Sequence, residues 1–413
     1  MSRFTKVLRN RDFSLLWLSQ IISQLGDRLS QMALIGLVPG STWQIAKILS
    51  FTLIPVFLIG PIAGAYVDRW DRRKTMFICD SLRACLVLTI PLLFLYNKFI
   101  GIYIVIFVVF SLGRFFIPAK LAIVPELVAA EDLVAANSLV NTTGMIAAVL
   151  GFGISGLIVE KLGAKAGFYL DGLSFIVSAG LLFFISKKNR FARIDIKKTS
   201  QEIVGAIKKT IGSDIKESIF YVWKNKEIRF TAGVMFALFA ALGSVYVVAI
   251  VFIQKTLHSA TKDLGLLIMF LGLGLFTGSL IYGHCGHKLS HYKTIFTSLI
   301  LSGIMLVAFA LGISRYPVFI VAAVLSLCLG MSISPIMIAS NTIVHNVSAN
   351  HMMGKVFSSL EIVMHLGFLT FMFISSKLAD KLSHTYILVA VGCIIALLGI
   401  INLIVHHKIS WLD

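Results

Sequence analysis

Gly64-Ala-Tyr-Val-Asp68-Arg69-Trp-Asp71-Arg72-Arg73-Lys74 joins two apolar stretches, residues 43–67 and 75–97. Four of these eleven residues are basic and two are acidic, while each flank is long enough to cross a bilayer's hydrocarbon core, which takes about 20 mostly apolar residues. A short charged turn between two such runs reads as a membrane hairpin. The runs are continuous rather than alternating with period two, which selects helices over a barrel.

The pattern repeats outward from this turn. Spans are expected at 14–38, 43–67, 75–97, 100–121, 134–159, 165–186, 229–254, 262–283, 291–312, 316–337, 355–380 and 384–406. Composition agrees: 58% of the 413 residues are hydrophobic and 14% charged, against roughly 45–50% and 25% in soluble domains. The polar, basic segment 1–12 does not resemble a cleavable signal. The formal charge of +18 reflects loop topology, not a nucleic-acid partner, because no binding motif accompanies it. Twelve spans put both ends on one side. Loops on that side carry 25 Lys and Arg, the opposite loops carry 9, and Arg28, Arg83 and Arg114 lie within spans. The positive-inside bias therefore favours N-in, C-in.

Residues 187–228 form the only long polar segment and divide the chain into an N-terminal six-helix bundle (1–186) and a C-terminal one (229–413). The mixture of Ile, Val and Lys at 203–211 fits an amphipathic helix on anionic lipid, or a plain linker. The halves echo one another. Gly60, Gly64 and Asp68-Arg69 are spaced like Gly278, Tyr282 and Gly286-His287. Pro118, read as ending the fourth span, recurs as Pro335 ending the tenth. Internal repeats of this kind place a transporter's substrate between them near the midplane.

The opening stretch resembles the G-x-x-x-D-R-x-x-R-R loop of the major facilitator superfamily. Gln24-Leu-Gly26-Asp27, Phe116-Ile-Pro118-Ala119, Pro125-Glu-Leu-Val128, Ala136-Asn137-Ser138-Leu139, Asp171-Gly-Leu-Ser-Phe175 and Gly354-Lys-Val-Phe357-Ser358 resemble its drug, macrolide and siderophore (enterobactin-type) exporters. Two segments depart from the pattern. His284-Cys-Gly-His287-Lys288 lacks the second Asp-Arg pair, and Gly151-Phe-Gly153 stands where many exporters have Gly-Pro. The resemblance implies an all-α fold of two pseudo-symmetric six-helix bundles that rock to give alternating access. It also implies a multi-pass inner (plasma) membrane protein that exports amphipathic small molecules against protons. An uptake carrier or lysophospholipid flippase of the same fold is the alternative.

Gly64 permits close helix packing, Asp68 suits a neighbouring helix N-terminus, and Arg69, Arg72 and Arg73 suit carboxylates or lipid phosphates, together forming a cytoplasmic gate. Ionisable groups inside spans are costly and mark function. Asp27, beside Arg28, is the leading proton carrier, unless it is held in a fixed ion pair with Arg28 or Arg114. Glu361 and His365 share a helix face and form a second relay, or Glu361 gates against Arg72 or Arg73. Asp80 and Arg83 read as an inner-end charge cluster with Arg114, which otherwise binds an anionic substrate. Asp171 reads as an outer gate or a helix-end hydrogen bond. Arg28, Arg114 and His365 complete the expected proton and substrate cavity.

His284, Cys285, His287 and His291 follow no zinc spacing, so no metal is expected. The five cysteines form no disulfide framework. No Walker A loop or clustered catalytic residues occur, so neither ATP-driven transport nor an enzyme is expected. No cofactor is expected. Expected partners are a small-molecule substrate, protons and membrane lipid, and a monomer is expected.

Overall fold

The computed structural model describes residues 3–60, 63, 70–186, 223, 225–286, 289–348 and 353–408. Gly64, Asp68 and Arg69 of the signature loop lie outside these residues, as do His287 and nearly all of the central segment 187–228. The described chain is almost wholly helical. Its helices are α1 (Arg3–Arg9), α2 (Arg11–Leu37), α3 (Thr42–Leu58), α4 (Arg72–Leu95), α5 (Phe99–Leu127), α6 (Leu133–Leu162), α7 (Ala164–Phe183), α8 (Lys226–Leu257), α9 (Lys262–Cys285), α10 (His291–Arg315), α11 (Phe319–Val347), α12 (Met353–Leu378) and α13 (His384–Lys408).

Among the described residues ten helices, α4 to α13, are long and apolar enough to cross a membrane. Two of the expected twelve spans fall short of that description. In α2, 27 residues long, Arg11, Asp12, Asp27, Arg28 and four serines dilute the apolar run. In α3 the described helix has 17 residues.

Capping sets several boundaries. The Asp71 carboxylate accepts from the Lys74 amide at 3.0 Å and starts α4. Asn225 Oδ1 accepts from the amides of Glu227 and Ile228 at 3.1 and 3.3 Å and starts α8. Each cap satisfies amides that have no partner within their own helix.

Both prolines read as helix ends are instead internal. Pro118 lies within α5 and Pro335 within α11, each helix running 29 residues. In a spanning bundle, neighbouring helices and small local adjustments can satisfy the carbonyl that proline leaves free, so the helix continues through it.

The chain divides into two compact units. One comprises Met1–Leu37 and Lys47–Thr210, the other Val38–Ala46 and Ile211–Asp413. Within the first unit α2 packs on α6 and α7, and α4 packs on α5 and α7. Within the second, α8 packs on α12 and α13, and α10 on α11 and α13. Counting six helices in each, first meets fifth and sixth and third meets fourth and sixth in both. The duplication suggested by the glycine and proline spacing is thus visible in the packing inside each unit.

Apolar burial does not hold helices together in lipid, so close van der Waals contact must. Gly274 and Gly330 provide it between α9 and α11. A Cβ on Gly330 would land on the Leu271 carbonyl and stand 2.8 Å from the Leu275 nitrogen, and one on Gly274 would land on the Leu327 carbonyl.

The segment Val38–Ala46 belongs with the second unit. The Gly40 amide donates to Gln254 Oε1 at 3.0 Å, and Thr42 Oγ1 donates to the Ser376 carbonyl at 3.3 Å. Trp43 meets Phe373 edge-on at 5.7 Å, with Lys377 Nζ 5.5 Å from the indole centroid.

Candidate functional site

The first unit carries a charged group where α2, α4 and α7 meet. Small and polar residues recur on one face of α2: Ser19, Ser23, Gly26 and Ser30 are buried at helical spacing. This lets α7 approach closely. A Cβ on Gly26 would collide with the side chains of Asp171 and Ser174. On α7, Asp171, Ser174, Phe175 and Ser178 form the facing stripe, since residues three and four apart share a helix face. On α4, Asp80 and Arg83 are one turn apart.

Each side chain in this group has a partner from another helix. Arg83 Nη2 meets Asp27 Oδ1 at 2.5 Å. Arg83 Nη1 stands 3.5 Å from Asp80 Oδ1. Ser178 Oγ donates to Asp80 Oδ2 at 2.5 Å. Asp171 accepts from the hydroxyl of Ser30, and from that of Ser174 at 3.3 Å. The Phe175 ring covers the guanidinium, its centroid 4.1 Å from Cζ, a favourable cation–π distance. Asp80, Arg83 and Asp171 are buried, while the Asp27 side chain remains 30% exposed. Arg83 Nε is buried without an acceptor.

Three expectations change here. The partner of Asp27 is Arg83, not Arg28 or Arg114. Arg83 is the twelfth of 24 residues in α4 and Arg114 the sixteenth of 29 in α5, so neither sits at an inner helix end. Asp171 is the eighth of 20 residues in α7 and bonds Ser30 of α2, so it lies where these helices meet and not at an outer helix end. Arg28 turns to α6. Its Nη1 donates to Gln31 Oε1 at 2.9 Å and its Cζ lies 4.8 Å from the Phe152 centroid. A Cβ on Gly151 would stand 2.9 Å from Arg28 Cγ, so the glycine at this departure from the exporter pattern makes room for arginine. Arg114 is half-buried on α5.

A second charged group ties the start of α4 to its neighbours. Arg72 pairs with Glu126 and donates to the Ala122 carbonyl at 3.2 Å, both on α5. Arg73 donates to the carbonyls of Leu182, at 3.0 Å, and Phe183 as α7 ends. Cations at carbonyl-rich helix ends are favoured by the helix dipole. Alongside, Lys6 of α1 pairs with Glu131 at 2.5 Å and Asp132 at 2.9 Å.

With this geometry in place, a sequence profile described as transmembrane secretion effector matches residues 2–410. The chain belongs to that family. The chain is a major facilitator-type transport protein, not an enzyme, and a multi-pass protein of the plasma membrane. It is similar to the uncharacterized MFS-type transporter YkuC of Bacillus subtilis (strain 168), at 26% identity over 369 residues, which are 85% of this chain and 81% of the relative. It is also similar to the putative bacilysin exporter BacE of the same organism, 24% identical over 358 residues, covering 83% and 82% of the two chains. Among solved structures it resembles a bacterial homologue of the iron transporter ferroportin in the inward-facing state. The TM-score is 0.71 at 15% identity, over 95% of this chain and 98% of that one. That likeness concerns the fold alone.

In this family member the second unit gives the expected relay pair a different arrangement. His365 Nδ1 bonds the Glu361 main-chain carbonyl at 2.7 Å, and its ring faces Phe239 at 5.9 Å. Glu361 is exposed. Of the four ligand-type residues near the second loop, His291 Nδ1 meets Tyr282 Oη at 3.0 Å, and His287 lies outside the described residues. Ser30, Ser174, Ser178 and Glu126 carry contacts that sequence reasoning gave no role. The 171-174-175-178 spacing was the available signal for two of the serines. Glu126 stood inside a quoted segment but resembled any loop carboxylate.

Proposed function

We propose that the chain is a proton-coupled exporter of amphipathic small molecules that works as a monomer by alternating access. The observation carrying this reading is the Arg83 guanidinium set against Asp27 and Asp80, with buried Asp171 bonded to Ser30 of the same helix as Asp27, where α2, α4 and α7 meet. Three ionised carboxylates around one cation leave excess negative charge in a poorly solvated site, which is costly. Proton uptake relieves it. A proton on Asp27 weakens its hold on Arg83, and the guanidinium then turns toward Asp80 and Asp171. Asp171 is held by serine hydroxyls, which suit either protonation state. Such a change of partners gives the unit two arrangements whose balance protons and substrate both bias.

Export is favoured by the similarity to a putative bacilysin exporter. Arg72 and Arg73, joined by Gly64, Asp68 and Arg69 of the same loop, serve as the gate at the cytoplasmic end. Glu361 belongs with that gate, while His365 joins Asp27 in the proton and substrate cavity, to which Arg28 and Arg114 add positive charge.

The test is flux in proteoliposomes under an imposed pH gradient, screening cationic dyes, macrolides, siderophores and lysophospholipids. Wild type is expected to move an amphipathic compound against the proton gradient. Asp27→Asn is expected to retain its fold and lose the pH-driven component. Flux indifferent to the gradient in wild type, or undiminished in Asp27→Asn, overturns the proton-coupled reading.

A further inference from the structure

Lys120 is a cation that neither charged group of the first unit engages in an ion pair. It stands inside α5, two turns before Leu127, in a helix long and apolar enough to span, and it is half-buried. Among the described residues no carboxylate pairs with it: Glu126 on the same helix is held by Arg72, and Asp27 by Arg83. An ionisable group within a spanning helix is costly and marks function. Its surroundings are apolar. Lys120 shares a helix face with Phe116 and Ile123, which belong to a buried cluster with Phe13 and Leu16 of α2 and Met76 and Cys79 of α4. Ile117, one turn back, is 43% exposed. Gly113 lies two turns from Lys120 on the same face, and a Cβ there would stand 3.9 Å from Arg83 Nη2.

A second donor borders the same cluster from α2. Gln20 is 2% exposed, and its Nε2 is buried without an acceptor. It shares a face with Phe13 and Leu16, which are members of that cluster. The depths agree as well. Asn10 Nδ2 donates to the Leu127 carbonyl at 2.7 Å, which sets the start of α2 beside the end of α5. Lys120 is seven residues from Leu127 and Gln20 ten from Asn10, about 10 and 15 Å at 1.5 Å per residue. The two side chains therefore start within about one turn of the same level, between the Asn10 contact and Arg83. A buried donor left unpaired is costly, and a cation in a span needs a counter-charge. One group answers both: an acceptor that carries negative charge.

We infer that Lys120 and Gln20 bind the acid group of the transported compound, which is an amphipathic carboxylate with its apolar part along Ile117. The ammonium gives a charge-assisted hydrogen bond, the stronger kind, and the amide N–H a neutral one. This names the substrate class of the export reading and rests on that reading. A lipid phosphate presents the same chemistry, so the test separates the two sources.

The full chain would be placed in phosphatidylcholine nanodiscs at neutral pH and titrated with 11-(dansylamino)undecanoic acid and with its methyl ester. Binding is read as saturable dansyl fluorescence above that of empty discs. Wild type is expected to bind the acid about ten-fold tighter than the ester, the factor one charge-assisted hydrogen bond supplies. Lys120→Gln should bring the ratio near one and leave ester binding unchanged, which also reports that the variant is folded. Lys120→Arg should keep the preference. Gln20→Glu should give Lys120 an internal carboxylate and remove the preference without touching the lysine. Parity in wild type, no saturable binding of either probe, or a preference that survives Lys120→Gln overturns the proposal. So does loss of acid binding when phosphatidylglycerol is added to the discs, since the site would then belong to lipid. No pH gradient is imposed, so flux that ignores protons would sink the coupling and leave this result standing.

Discussion

Arg83 of α4 meets Asp27 of α2 at 2.5 Å, and the same guanidinium lies 3.5 Å from Asp80 one turn away on its own helix. One cation thereby holds two carboxylates from different helices while the Phe175 ring covers its face. Removing the cation strands both acids, and breaking a buried pair from one side costs about 3–5 kcal/mol. Arg83→Gln is therefore expected to lower unfolding temperature in detergent strongly. Adding Asp27→Asn should recover part of that loss, because residues in one network do not add. Simple additivity of the two substitutions, read by thermal unfolding, would contradict the shared-cation arrangement.

Asp171 depends on hydroxyls. Ser30→Ala and Ser174→Ala each remove a donor from a buried carboxyl group, at about 1–3 kcal/mol for a buried group left unsatisfied. The Ser30 change is expected to be the larger, since Ser174 also donates to the Asp171 main-chain carbonyl at 2.8 Å. Chemical unfolding of the two variants ranks them, and equal, negligible effects would remove Asp171 from the network.

Much of the fold was legible because bilayer physics leaves few choices. Among the described residues ten helices meet the length and apolarity of spans, most with ends within a few residues of those read from hydropathy, while α5 and α11 run on past theirs. The prolines misled because the rule that proline stops a helix is weaker where neighbouring helices satisfy the freed carbonyl. At the site, Asp27, Asp80, Arg83 and Asp171 stood out as charges in apolar runs. Their partners did not, because which helix faces which is set by packing. Gly26 is a case in point: its role appears only once α7 lies against it. Gly64, Asp68 and Arg69, the residues that most clearly announced the family, lie outside the described chain.

That packing role gives a direct contrast. Gly26→Val places atoms where Asp171 and Ser174 already are, whereas a Cβ on Gly180 of α7 meets nothing within 4 Å. Overpacking costs about 1–3 kcal/mol, so Gly26→Val is expected to destabilise the unit and disturb the charged group together. Gly180→Ala should be neutral or slightly favourable, since glycine weakens a helix interior by about 0.5–1 kcal/mol. Thermal unfolding and flux measured side by side separate the two outcomes.

Lys6 links α1 to the turn before α6. Hydrogen bonds that Lys6 donates to Glu131 and then to Asp132 raise its pKa above the ordinary 10.5. A raised lysine stabilises fully below its unfolded value and loses that contribution as pH rises through the folded one. The tether of α1 is thus expected to hold at neutral pH and to loosen above about pH 10.5. High salt should also loosen it, because the pair is exposed and screened. Hydrogen exchange of residues 3–9 should quicken in Lys6→Ala at neutral pH, with α10 unaffected as an internal reference. Unchanged exchange in α1 would show that its apolar contacts alone hold it.

Arg72 and Glu126 offer the sharpest test of the charged turn at the start of α4. Their side chains are 21% and 28% exposed, partly shielded from water, and Arg72 also reaches the Ala122 carbonyl. Arg72→Ala removes both contacts with α5, whereas Glu126→Gln removes the charge and keeps an acceptor. Contacting residues show coupling of about 0.5–3 kcal/mol in double-mutant cycles. The cycle through Arg72→Ala, Glu126→Gln and the double variant is expected to return coupling within that range. The charge-reversed pair Arg72→Glu with Glu126→Arg should recover stability that either reversal alone loses, yet not fully, because glutamate cannot donate to the Ala122 carbonyl. If the Arg72–Glu126 pair also governs opening, flux should track the single variants and return in the reversed pair. Stability that recovers while flux does not would assign Arg72 to transport through a contact other than Glu126.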